Sequence, residues 1–126
     1  MCPDKIKIYF KKARYKIMLK IMDDVIRRAV VVQGDKMYND LMRDKARKKG
    51  DKVTAEWYTA KIGAQLQELL FLEQLAEKCG ALNNYYSEMR AGEIRFYSFY
   101  IGMVEDEVMR KIWQNRIDEY YKKSVA

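Results

Sequence analysis

Apolar residues recur along the first third of the chain at helical spacing. Ile6, Phe10, Ala13, Ile17, Ile21 and Val25 are three or four positions apart, so they line one face of a helix. Ile8, Tyr15, Met18, Leu19, Met22 and Ile26 form a second apolar stripe. Lys5, Lys12, Lys16, Lys20 and Arg27 run along one edge between the stripes, and Lys7, Lys11 and Arg14 along the other. No breaker interrupts the pattern from Pro3, which suits a first helical turn with Asp4 at its positive end, to Val32. A helix with two apolar stripes packs against two neighbours, which places it mid-bundle or in a dimer interface. The Lys-Ile-Lys-Ile alternation over residues 5–10 also fits period two, so a strand there is the competing expectation.

Farther on, Gln33-Gly34-Asp35 reads as a helix stop followed by a new N-cap, with a second helix over about 35–48. The basic run Lys45-Ala46-Arg47-Lys48-Lys49 suits a helix C-terminus, and Gly50 a left-handed cap. Asp51, or Thr54, caps a third helix to about residue 79; were Gly50 tolerated mid-helix, the second and third would merge. Gly80 stops it, 82–91 reads as a short helix, and Gly92 as a break. A last helix over about 93–122 would bury Ile94, Tyr97, Ile101, Val104, Val108 and Ile112. Its aromatic start, 93–101, is rich in β-forming residues, so a strand is the alternative there. The tail 120–126 is expected to fray. The predicted fold is all-α: an antiparallel bundle of three to four helices in one domain, residues 1–126. The alternative is mainly α with a two-stranded element near 5–10 and 94–101.

Composition agrees with a packed helical domain. A single Pro and six Gly in 126 residues leave little material for turns, and 49% hydrophobic against 34% charged residues is globular rather than disordered. No run of about eighteen apolar residues predicts a membrane span. The lysine-rich start does not read as a signal peptide. The expected setting is therefore intracellular, or a virion if the source is viral, with no membrane partner. Cys2 and Cys79 could pair only if the fold joined them; two free thiols in a reducing compartment are expected. Asn and Gln are few while Lys, Glu, Arg, Tyr and Ile are common, a balance that resembles hyperthermophile proteins and suggests an archaeal or viral source.

Histidine is absent, which removes HExxH zinc sites, ExxH di-iron bundles and His-based triads. The chain has no Walker A, GxGxxG or GxSxG pattern, and Glu105-Asp106-Glu107 point in different directions on a helix. No enzyme activity, catalytic residue, metal or cofactor is expected.

Charge is what points to function. Residues 1–52 carry a balance of +9 within a net +7, so the rest of the chain is −2. Lys5, Lys7, Lys11, Lys12, Arg14 and Lys16, with Arg47, Lys48 and Lys49, are the candidate phosphate contacts, since cations at helical spacing neutralise a polyanion without reading sequence. Tyr9 and Tyr15 could stack on bases if exposed.

Residues 72–91 resemble the helix-turn-helix of Cro-type repressors. Ala76 is the small residue where the two helices touch, Gly80 stands four positions later at the turn, and Leu75, Cys79 and Met89 fall on the inner face. Tyr86 departs from the pattern by its bulk. The resemblance implies that 82–91 is a recognition helix whose Asn83, Asn84, Ser87 and Arg90 reach bases or phosphates. The leading expectation is a nucleic-acid-binding protein, DNA before RNA. The alternative is an assembly protein of virion or scaffold type. The doubled apolar stripe points to a homodimer or higher self-association in either case.

Overall fold

The computed structural model describes the backbone of residues 3–125 and the side chains of residues 5–123. The Asp4 cap and any pairing of Cys2 lie outside the described residues; Cys79 is a free, exposed thiol. Four α-helices account for nearly all of the described chain: α1 (Pro3–Lys48), α2 (Lys52–Lys78), α3 (Leu82–Tyr100) and α4 (Glu107–Val125), with a 3-10 turn at Ile101–Met103. Both segments with strand-like composition, 5–10 and 94–101, are helical except for a 3-10 residue at 101, and no strand occurs among the described residues. Residues 5–10 lie on the uncovered start of α1 while Ile94, Phe96 and Tyr97 pack beside Met37 and Trp113, so the two segments are too far apart to pair, and a helix satisfies the backbone of each internally. The tail is assigned to helix through Val125, and Ala126 lies outside the described residues.

The expected stop at Gln33-Gly34-Asp35 does not occur: α1 runs through it for 46 residues, about 70 Å at helical rise. A mid-helix glycine costs about 1 kcal/mol relative to alanine. Contacts on either side offset it: Val32 is buried, Met37 packs into the core, and Gln33 Nε2 donates to the Met89 carbonyl at 2.8 Å. Gly50 does break the chain, at φ +75°, and Gly80 does the same at φ +68°. The two turns share one hydrogen-bond pattern. Asp51 N bonds Ala46 O and Gly50 N bonds Arg47 O; Ala81 N bonds Ala76 O and Gly80 N bonds Glu77 O. Both are the six-to-one and five-to-two pair that closes a helix over a left-handed glycine. Asp51 is the N-cap of α2, and Thr54 is its partner rather than its rival, giving its N–H at 3.1 Å and its hydroxyl at 2.6 Å.

α2 runs antiparallel along α1. Leu72 and Ala76 meet Met22, Ile26 and Ala29 at one end, and Asn39 donates to Gln65 at 3.1 Å farther along. α3 turns back beside α1, with Tyr85 in the cluster at Met22 and Tyr100 against Tyr38. Gly92 lies inside α3 rather than breaking it. A Cβ there would sit 3.0 Å from Val30 Cγ1, so this glycine lets two helices close on each other. α4 packs antiparallel on α3: Trp113 stacks on Tyr97, and Arg116 reaches Glu93 and the Tyr97 hydroxyl. A second cluster of Ile94, Phe96, Tyr97 and Ile117 holds this pair, with Met37 of α1 against it.

The single last helix expected from 93 to 122 is two helices. The chain leaves α3 at Ile101, becomes extended at Val104, and restarts where Asp106 caps α4 through the N–H of Val108 at 2.9 Å. This break resets the helical phase. Ile94, Tyr97 and Val104 are buried as the period predicts, but Val108 and Ile112, counted on the same period, are exposed.

Candidate nucleic-acid interface

The hairpin joining α2 to α3 lies level with Met22, where the core of α1 begins. α2 has only 27 residues, so it covers the second part of α1 and leaves the first. Residues 5–21 therefore project as a bare helical arm, about 25 Å long. Every side chain on the arm is exposed except Ala13, which is partly buried. This corrects the expectation that both stripes are buried. Ile6, Ile8, Phe10, Tyr15, Ile17, Met18, Leu19 and Ile21 all face solvent, and only Met22 and Ile26 of the second stripe are covered. The expected stop near residue 34 hid this: only the uninterrupted 46 residues of α1 against the 27 of α2 leave the arm uncovered.

Lys5, Lys7, Lys11, Lys12, Arg14 and Lys16 are all on this arm, together with Lys20. It carries no carboxylate from 5 to 21, and none of these cations forms an ion pair among the described residues. Tyr9 and Tyr15 stand exposed between them. The remaining phosphate candidates are elsewhere. Arg47, Lys48 and Lys49 sit at the opposite end of α1, about 55 Å from Lys11 by helical rise. There Arg47 and Lys48 line a cavity of about 260 Å³ with Asp44, Glu105 and Asp106, so part of their charge faces acids. A single straight helix keeps the two basic clusters apart.

The helix-turn-helix-like segment has some of the expected contacts. Ala76 is fully buried at the junction, Leu75 and Met89 pack against the same cluster, and Gly80 makes the turn. Tyr86 swings outward and donates to Glu73, while Tyr85 takes the interior place. Cys79 is outside the junction. The helix does not end at Ala91 but continues to Tyr100. Asn83, Asn84, Ser87 and Arg90 are all exposed. Asn83, Ser87 and Arg90 share a face with Ile94, which is 1% exposed in the cluster with α4. The open stretch of that face is thus its first two turns. Because Tyr85 packs at Met22, these turns stand at the root of the basic arm, and Asn84 lines a cavity there with Asp23, Arg27, Glu88 and Arg95.

Two buried phenols mark the interior. Burial pushes Tyr85 above the ordinary phenol range, with Glu73 adding to it. Burial also raises Tyr97, helped by Glu93 and opposed by Arg116. Tyr97 lines a cavity of about 430 Å³ with Lys36, Asp40, Asp44, Glu93 and Arg116. Among the described residues no group of three or more Cys, Asp and Glu is placed to hold a metal ion. No described helix is long and apolar enough to cross a membrane. No protein-family model, curated protein or solved structure matches the chain.

Proposed function

We propose that this protein binds nucleic acid, duplex DNA foremost, by laying the arm of α1 along a phosphate backbone. One observation carries the reading: seven cations and no carboxylate on a solvent-exposed helix from residue 5 to 21. Like charges held this close without partners destabilise a free helix, and a polyanion relieves them by releasing its counterions. Lys5, Lys7, Lys11, Lys12, Arg14, Lys16 and Lys20 contact phosphate in this reading. Asn83 and Asn84 at the root of the arm are the base readers, with Ser87 and Arg90 on the next turn. Arg47, Lys48 and Lys49 make a second, weaker contact. No catalytic step or cofactor belongs to this reading, and its partner implies an intracellular or virion setting.

The test is fluorescence anisotropy with labelled duplex DNA, single-stranded DNA and RNA across a salt series. The seven cations of the arm contribute at most about −6 to the slope of log affinity against log salt on duplex. Reversing Lys11, Lys12 and Lys16 to Glu should weaken binding to every duplex sequence at least tenfold and flatten that slope. The same change at Arg47, Lys48 and Lys49 should cost less. Unchanged affinity in the Lys11/Lys12/Lys16 variant sinks the arm as the binding element.

Self-association, as an assembly or scaffold subunit, is the second reading. It is favoured by nine large apolar or aromatic side chains left exposed on the same arm.

A further inference from the structure

The first apolar stripe of the arm has the same order of side-chain sizes from either end. Ile6 and Phe10 precede Ala13, and Ile17 and Ile21 follow it: two large side chains, a small one, two large ones. We propose that this seam is a docking surface for a second copy of the chain, arm on arm and antiparallel, and that salt or a polyanion promotes the pairing. A two-fold contact needs a self-complementary surface, and this one is. With the dyad beside Ala13, Phe10 of one copy opposes Ile17 of the other, and Ile6 opposes Ile21. The Ala13 methyls let the helices approach closely at the centre and leave room for the Phe10 rings.

Position, area and charge bear on the same proposal. By helical register the seam lies on the side of α1 opposite Met22 and Ile26, the residues that α2 and α3 cover, so the chain's own hairpin does not block it. Antiparallel overlap of the arms leaves the two bundles at opposite ends. The chain exposes 9547 Å². A compact chain of 15.1 kDa exposes about 7,100 Å². The surplus, about 2,500 Å², belongs to the whole elongated chain, the bare arm included, and leaves room for the roughly 800 Å² per partner of a standard interface.

Pairing also doubles the charge. Lys5, Lys16 and Lys20 flank the seam on one side, and Lys7, Lys11 and Arg14 on the other, so each flank of the pair gathers like charges from both copies. At low ionic strength this repulsion opposes the apolar contact. It fades as the screening length falls from about 10 Å at 0.1 M salt to about 3 Å at 1 M. A bound polyanion neutralises the same cations, so nucleic acid and self-association strengthen each other by linkage. The polyanion part rests on the nucleic-acid reading; the salt part does not.

Sedimentation equilibrium of the full chain tests both. The expected result is monomer in dilute buffer and dimer at about 1 M NaCl. A short DNA duplex at low salt should lower the dimer dissociation constant about tenfold or more, within the usual span of ligand coupling. The double variant Phe10→Ser, Ile17→Ser should stay monomeric throughout and melt like the parent, because neither side chain is buried in the bundle. In a chain with Cys2→Ser and Cys79→Ser, Ala13→Cys should cross-link to itself, and Ile6→Cys should cross-link only to Ile21→Cys. Three results each overturn the proposal: a monomer at high salt, a double variant that still dimerises, or self-cross-linking of Ile6→Cys, which means parallel arms. Salt-promoted dimers unaffected by duplex would uphold the seam and overturn the linkage to polyanion, while failure of the nucleic-acid reading itself shows separately as no binding in the anisotropy series.

Discussion

Gly92 illustrates how one missing methyl positions two helices. A Cβ at this residue would stand 3.0 Å from Val30 Cγ1 and 3.5 Å from Gln33 Nε2. Gly92→Val should therefore destabilise by about 1–3 kcal/mol, the usual cost of overpacking. Val30→Ala in the same chain should return part of it. A urea midpoint unchanged by Gly92→Val would show that α3 can shift without penalty. The buried phenols make a second residue-scale statement. Unfolded Tyr titrates near 10, and burial holds Tyr85 and Tyr97 protonated above that. The unfolded chain then releases its protons first, so stability is constant below about pH 10 and falls as pH rises through the folded values. Urea melts across this range should show the decline, and Tyr85→Phe should make it shallower. Asp51 acts in the opposite direction. Its hydrogen bonds from Thr54 hold the carboxyl below the usual range, so its contribution is complete above that range and fades as pH drops through the folded value.

At the scale of elements, α1 is two different helices in one. From Met22 onward α2 and α3 cover it; before that it relies on its own hydrogen bonds. Even alanine-rich helices shorter than about 12–15 residues are marginal in water, and this arm is only slightly longer, with seven like charges adding repulsion. In the free monomer, amides of residues 8–19 should exchange with solvent orders of magnitude faster than those of 25–45. Duplex DNA or high salt should restore their protection. Equal protection in free monomer at low salt would show that the arm is held by something other than a bound partner. The α3–α4 junction shows how an element boundary redirects a pattern. Six residues outside α-helix were enough to turn Val108 and Ile112 outward and bring Trp113 and Ile117 inward.

The whole molecule separates its charges along its longest axis. The basic arm and the open turns of α3 share one end, and Arg47, Lys48 and Lys49 occupy the other, about 55 Å away. Sequence order alone suggested one basic half. The length of α1 makes it two sites, one unopposed and one beside Asp44, Glu105 and Asp106. This is why charge reversal on the arm should outweigh charge reversal at Arg47, Lys48 and Lys49.

Local chemistry in the chain already determined much of this. Three- and four-residue apolar spacing, a single proline and Gly80 specify helices and one of their ends, because such signals act within a turn or two of backbone, while Gly50 suits either a cap or a mid-helix place and only its left-handed φ decides between them. The charge of residues 5–20 was legible for the same reason, since charge is counted residue by residue, but not that they project as an arm. What needed the tertiary structure was cover. Gly34 and Gly92 stay helical because neighbouring helices supply contacts that outweigh the local cost of glycine. The stripe at Ile6, Phe10, Ile17 and Ile21 is exposed because α2 is shorter than α1. A periodic stripe tells which residues want a partner. Only the lengths and directions of the other helices decide whether the same chain provides one.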